Sequence, residues 1–333
     1  MASRGFLAFL LLSLGFMATG FAQQAACKAD VPVSVINASG DSFRGLNADD
    51  FSARGGRTAI PIKAATLDDG PRRVLFVVDT GKKVHSNVRK AETEMVDAIM
   101  AAARPGDSFA LVVTHGVNRT AKFGDDKAKF TEALSQDGES KSGQTVGVLD
   151  AMMEGMEWFG APASGDAIVV VAAELEGNHK ANPKSIEKAL KEHHIRMFGL
   201  ALGPVNTRNI AASGTMTSTT SQGLARVTPG IGDFVYNTGD ENFFPLTTQS
   251  GGLVRGVLGS PTKQGYNPDD PKAKQMVTQR ARQIFNMIST FYRIEVEPPA
   301  HPEEWSVDVV ERVHKAVPQM WILYPHSLGP CQH

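Results

Sequence analysis

Five apolar residues in succession, Val74 to Val78, run without a polar break into Asp79, and a glycine follows at Gly81. A strand that is apolar on both faces belongs inside a parallel sheet covered on each side, and ligands bind at the carboxyl ends of such strands. Two more runs of this kind follow, Phe109 to Val113 and Ala167 to Ala173, and Ile195 to Leu202 is a further buried strand broken only by Arg196. Between the first two, Val88, Met95, Val96, Ile99 and Met100 recur near the helical period from Ser86 to Ala103, and Pro105-Gly106-Asp107 ends the helix. Further helices are expected from Lys127 to Leu134, from Thr145 onward, from Pro183 to Glu192, from Glu241 to Gln249 and from Pro271 to Ser289. The helix opening at Thr145 is expected to set Val146, Leu149, Met153, Met156 and Phe159 on one face, and Leu253 to Leu258 to form a last strand. Alternation of helices with apolar strands predicts an α/β fold: a Rossmann-like, mostly parallel sheet with helices on both faces.

At both ends of the chain the period switches to two. Val31, Val33 and Val35, then Ile60 and Ile62, alternate with polar or exposed-type residues near the amino terminus. Tyr292, Ile294 and Val296, then Trp305, Val307 and Val309, and finally the run Trp321 to Tyr324, do so near the carboxyl terminus. These are strands with one wet face, and neither set is large enough to be stable alone. The simplest burial pairs residues 28–70 with 291–330 as a discontinuous small β-sandwich into which the α/β region, 71–290, is inserted. Within that region residues 203–240 dissolve into Ser, Thr, Gly and Asn and are expected to be a long surface insertion.

With 34 Lys and Arg against 35 Asp and Glu, there is no global charge bias toward nucleic acid. The start, MASRGFLAFLLLSLGFMATGFAQQ, places an arginine before a short apolar run and a small-x-small site at Gly20-Phe21-Ala22. Residues 1–22 therefore read as a secretory signal peptide, with an uncleaved membrane anchor as the alternative, and the mature chain as secreted or periplasmic with no membrane span. Two cysteines, Cys27 and Cys331, stand near the ends of the mature chain. In an oxidising compartment they can pair as a disulfide; two free thiols are the other reading.

The order of these features resembles a von Willebrand factor type A (VWA) domain. The motifs are the strand ending in Asp79, the segment SGQTVGVLDA at Ser142 to Ala151, the strand Ala167 to Ala173 and FPLTTQSGG at Phe244 to Gly252. With VPVSVINASG and GLNADDF ahead of them, they are similar to the VWFA-related domain proteins of acidobacteria. The resemblance implies a metal-ion-dependent adhesion site made by D-x-S-x-S after the first strand, a threonine in the second motif and an aspartate after the fourth strand.

Carried over residue by residue, Asp79 and Thr145 are kept, whereas the two serines fall on Gly81 and Lys83 and the last aspartate on Ala173. Mg²⁺ wants hard oxygen ligands in near-octahedral array, and this pattern removes hydroxyl and carboxylate donors. Lys83 adds a repulsive charge, worth about 1 kcal/mol per unit of charge product at about 4 Å in water and several-fold more near a protein surface. No metal or other cofactor is expected, and Lys82 or Lys83 is expected to pair with Asp79. Glu174 is the one carboxylate placed to rescue a divalent-cation site with Asp79 and Thr145. His115 follows the second α/β strand and would reach the same surface, and His193-His194 reads as a solvated pair at a helix end. No H-E-x-x-H, G-x-S-x-G or P-loop pattern occurs. The expected function is an exported, non-enzymatic protein that binds a protein or cell-surface ligand through Asp79, Gly81, Lys83, His115, Thr145 and Glu174. The alternatives are a structural role in the envelope with the VWA region as scaffold, and cation-dependent adhesion.

Overall fold

The computed structural model describes residues 28–37, 40–79, 86–114, 119–135, 147–172, 180–201, 243–257, 266–298, 305–317 and 320–326. The expected signal peptide, Cys27, Cys331 and the 203–240 stretch lie outside these residues.

A six-stranded sheet forms the centre. It is built from β5 (Arg73–Val78), β6 (Ser108–Val113), β7 (Thr120–Ala121), β8 (Ala167–Ala172), β9 (Arg196–Ala201) and β10 (Val254–Gly256). Their order is β10-β9-β8-β5-β6-β7, and every pairing is parallel except that of the edge strand β7 with β6. The pleat explains why β5 is apolar throughout. Val74, Phe76 and Val78 face a layer formed by α1 (Ser86–Ala101), α2 (Lys127–Ser135) and α6 (Pro271–Ser289). Leu75 and Val77 face α3 (Val148–Met156), α4 (Pro183–Glu192) and α5 (Phe243–Gln249). Helices thus cover both faces, as the sequence pattern predicts.

On α3 the phase differs from the expected one. Met152, not Met153, is buried beside Leu149 and Met156, and Phe159 is buried in the 3₁₀ turn that follows. The cause is Gly155, where an added Cβ would lie 2.5 Å from Leu75 Cδ2. The helix crosses β5 at this glycine, and that contact sets which methionine turns inward.

The chain ends build two antiparallel sheets. One has the order β13-β1-β11-β4, from β1 (Ala29–Asn37), β4 (Ile62–Asp68), β11 (Phe291–Val296) and β13 (Met320–Leu323). The other is β12-β2-β3, from β2 (Phe51–Gly55), β3 (Thr58–Ile60) and β12 (Trp305–Val309). Val31, Val33, Val35, Tyr292 and Ile322 of the first share a core with Phe51, Ala53, Trp305 and Val307 of the second. The opposite face of the first sheet contributes Ile36, Trp321 and Leu323 to the core around α6, so this helix is packed between two sheets. A short helix absent from the sequence expectation, α7 (Glu311–Ala316), follows β12.

The carboxyl end of α6 is held by three arginines from distant parts of the chain. Arg72 donates to Ile288 O (3.2 Å) and Ser289 O (3.1 Å), and Arg104 to Ser289 O (3.1 Å). Arg196 donates to Met287 O (3.3 Å) and Ile288 O (3.0 Å), and also to Ser34 Oγ (3.0 Å) on β1. Three cations at the negative end of a helix satisfy carbonyls that have no partner within it. The Arg72 and Arg196 guanidinia both lie against the Phe291 ring, at 4.5 and 4.3 Å from its centroid. Burial pulls Arg196 down to about 9. The clasp fastens α6, the six-stranded sheet and β1 to one another at one point.

Candidate functional site

The strand order reverses between β5 and β8, since β6 extends the sheet on one side of β5 and β8 on the other. The crevice above such a switch point is where open α/β sheets bind ligands, and Asp79 stands at its rim. The sheet ladder runs on to hold it there. The Asp79 N–H donates to Val171 O (2.9 Å), and the Thr114 N–H donates to Val78 O (3.0 Å). The Thr114 hydroxyl, 1% exposed, then donates to Asp79 Oδ1 at 2.8 Å. Asp79 is half-buried, so one oxygen of its carboxylate is tied to the neighbouring strand.

A second carboxyl lies close by. Glu92, on the inner face of α1, is 1% exposed, and neither carboxyl oxygen has a hydrogen-bond partner. Burial pushes it well above the ordinary carboxylate range; the Asp79 charge adds to this and Arg89 opposes it. Desolvation beside a like charge disfavours the ionised carboxylate here.

Asp150 stands in the first turn of α3. Its carboxylate accepts the N–H groups of Lys180 (3.0 Å to Oδ2) and Ala181 (2.7 Å to Oδ1), tying α3 to the segment that leads into α4. The backbone at Lys180 and Ala181 is thereby fixed.

Of the residues the sequence singles out, Asp79 is placed by the structure at the crevice. Gly81, Lys82, Lys83, His115, Thr145, Ala173 and Glu174 lie outside the described residues. His193 caps α4, its N–H donating to Ala189 O, and His194 sits at φ 53° in the left-handed region; neither neighbours Asp79 along the sheet. His194 is pushed down, first by burial and then by the His193 charge. Among the described residues no group of three or more His, Cys, Asp or Glu side chains could hold a metal. Thr114 and Glu92 escaped the sequence reading. Glu92 carries a legible signal, as an acid inside the apolar stripe of Val88, Met95, Val96 and Ile99.

No protein-family model and no curated protein matches the chain. Among solved structures it is similar to the conserved hypothetical protein BatB from Bacteroides thetaiotaomicron, at 15% identity and TM-score 0.38 over 64% of this chain and 98% of that one. It is similar to the VWA domain of SpRpn10 at 10% identity and TM-score 0.36, over 59% and 91%. A von Willebrand factor type A structure from Catenulispora acidiphila gives 11% identity and TM-score 0.32, over 61% and 52%. The α/β unit itself is a mostly parallel sheet with an antiparallel edge and helices on both faces, with an aspartate at the tip of β5.

Proposed function

We propose that this chain is an exported, non-enzymatic binding protein that engages a protein or surface ligand at the Asp79 crevice without a divalent cation. The two antiparallel sheets are, in this reading, a small β-sandwich carrying the VWA-related unit as an insert. The observation that carries the proposal is the hydrogen bond from Thr114 to Asp79 Oδ1, which commits one oxygen of the sole retained acidic ligand to the protein itself. The buried acid Glu92 is pushed well above the ordinary carboxylate range, first by burial and then by the Asp79 charge, which disfavours it as an anionic ligand. With Gly81, Lys83 and Ala173 at the positions of two serines and an aspartate, this donor set does not fit a hard dication, which requires several anionic or neutral oxygens in octahedral array. What remains is a carboxylate fixed at a switch point. Among the described residues no helix is long and apolar enough to cross a membrane. The amino-terminal sequence is the support for export.

Affinity capture from an envelope extract tests the proposal, with wild type and the Asp79→Ala and Lys83→Glu variants compared in chelator. A partner retained by wild type in chelator and lost with either variant is expected. Recovery of the same partner by all three proteins, or only with added Mg²⁺, would contradict it.

A further inference from the structure

The outward face of α6 is polar throughout. Lys274, Gln275, Thr278, Gln279, Arg282 and Asn286 line an open groove of about 540 Å³ along it, with the buried Gln283 in its wall and Asp41 contributed from the loop after β1. The helix carries Lys272, Lys274, Arg280 and Arg282 and no Asp or Glu over its 19 residues. Lys274 and Arg282 are only partly neutralised, although the lining also carries the Asp41 carboxylate. Lys274 lies 3.8 Å from Glu94 while 61% exposed, Arg280 donates to Gln283 Oε1 at 3.0 Å, and Arg282 is exposed with no ion pair among the described residues.

The lining has no aromatic or aliphatic side chain, which disfavours a stacked sugar or the apolar face of a helix as occupant. It does have a carboxamide ladder. Gln275, Gln279 and Gln283 follow one another every four residues, a repeat of about 6 Å along the axis, and two residues of extended chain advance about 6.6 Å. A carboxamide both donates and accepts, so successive glutamines can meet the N–H and C=O groups that an extended chain presents on one edge at every second residue. The Gln283 oxygen is engaged by Arg280, which leaves its amide NH₂ as donor. Charge selects what hangs from that backbone: carboxylates beside Lys274 and Arg282 are favoured.

We propose that this groove docks an extended acidic peptide segment of a partner protein, with its backbone read by the glutamine ladder and its side chains by Lys274 and Arg282. The site lies on a different element from Asp79, so either surface can fail its test without the other.

The probe is a fluorescein-labelled hexapeptide of alternating Asp and Thr, titrated into the whole mature protein and followed by anisotropy. Saturable binding is expected, weakened about tenfold by Arg282→Glu, by Gln279→Ala, and by N-methylation of alternate amides of the peptide. Gln279 and Arg282 are exposed, and an unchanged circular-dichroism melt confirms that the variants fold. The proposal is overturned if a Lys-Thr hexapeptide or the N-methylated peptide binds as tightly. It is also overturned if both variants bind like wild type, or if no saturable binding occurs up to about 1 mM, the weak end of specific association.

Discussion

Replacing Gly252 by alanine is expected to destabilise the fold by about 3 kcal/mol or more, an unusually large loss for one methyl group. A Cβ at this position would lie 1.8 Å from Met197 O and 2.7 Å from Met197 C, both backbone atoms of β9. Neither can move without displacing the strand. The surrounding hydrogen bonds show why the approach is so close: Gly252 N–H donates to Thr247 O (2.8 Å) and Gly199 N–H to Leu253 O (2.9 Å). The Met197 N–H donates to Ser250 Oγ (3.0 Å) as well. Opening that gap would unseat β10, whose pairing with β9 begins at Val254. Urea denaturation against Gly70→Ala checks this. An added Cβ at Gly70 would meet only Asp68 Oδ1 at 3.4 Å and Arg72 Nη1 at 3.9 Å, and that variant should stay within about 0.5 kcal/mol of wild type. Equal midpoints for the two variants would refute the close approach.

Glu92→Met is expected to raise stability at neutral pH by about 1–3 kcal/mol, since it exchanges a buried, unpartnered carboxyl for an apolar side chain of similar length. The pH dependence follows from linkage. In the unfolded chain this carboxyl titrates near 4.5; in the folded chain burial, and then Asp79, hold it well above that. Between the two values the native state keeps a proton that the unfolded state has released. The contribution is therefore present in full below about pH 4.5 and is lost as pH rises through the folded value. Both Glu92→Met and Glu92→Gln should abolish that slope, and only the methionine should also remove the unpartnered polar group. Urea midpoints for the three proteins, from about pH 4 to about pH 8, give the answer. Parallel curves for wild type and Glu92→Gln would show that Glu92 does not titrate in this range.

The six-stranded sheet was legible because its strands are apolar on both faces, and only a sheet with helices on each side makes use of that. Asp79 was legible for the same reason, as the first charge at the end of such a run. The phase of α3 was not, because Met152 and Met153 both fit a helical stripe and the choice is made by Gly155 meeting Leu75 across the core. The clasp on α6 left no local trace: Arg72, Arg104 and Arg196 are scattered along the chain and converge only when the sheet forms. Thr114 is an ordinary residue after a strand, and nothing in its neighbours reveals that the next strand ends in the carboxylate it binds. Glu92 could have been found, since an acid in the apolar stripe of a helix requires a reason.

The most direct measurement of the central claim, a carboxylate at the switch point that works without a hard dication, is calorimetric titration of Mg²⁺ and of Ca²⁺ into purified wild type and Asp79→Ala. Heats of dilution alone, the same for both proteins, are expected. Saturable binding to wild type that disappears in Asp79→Ala would contradict it.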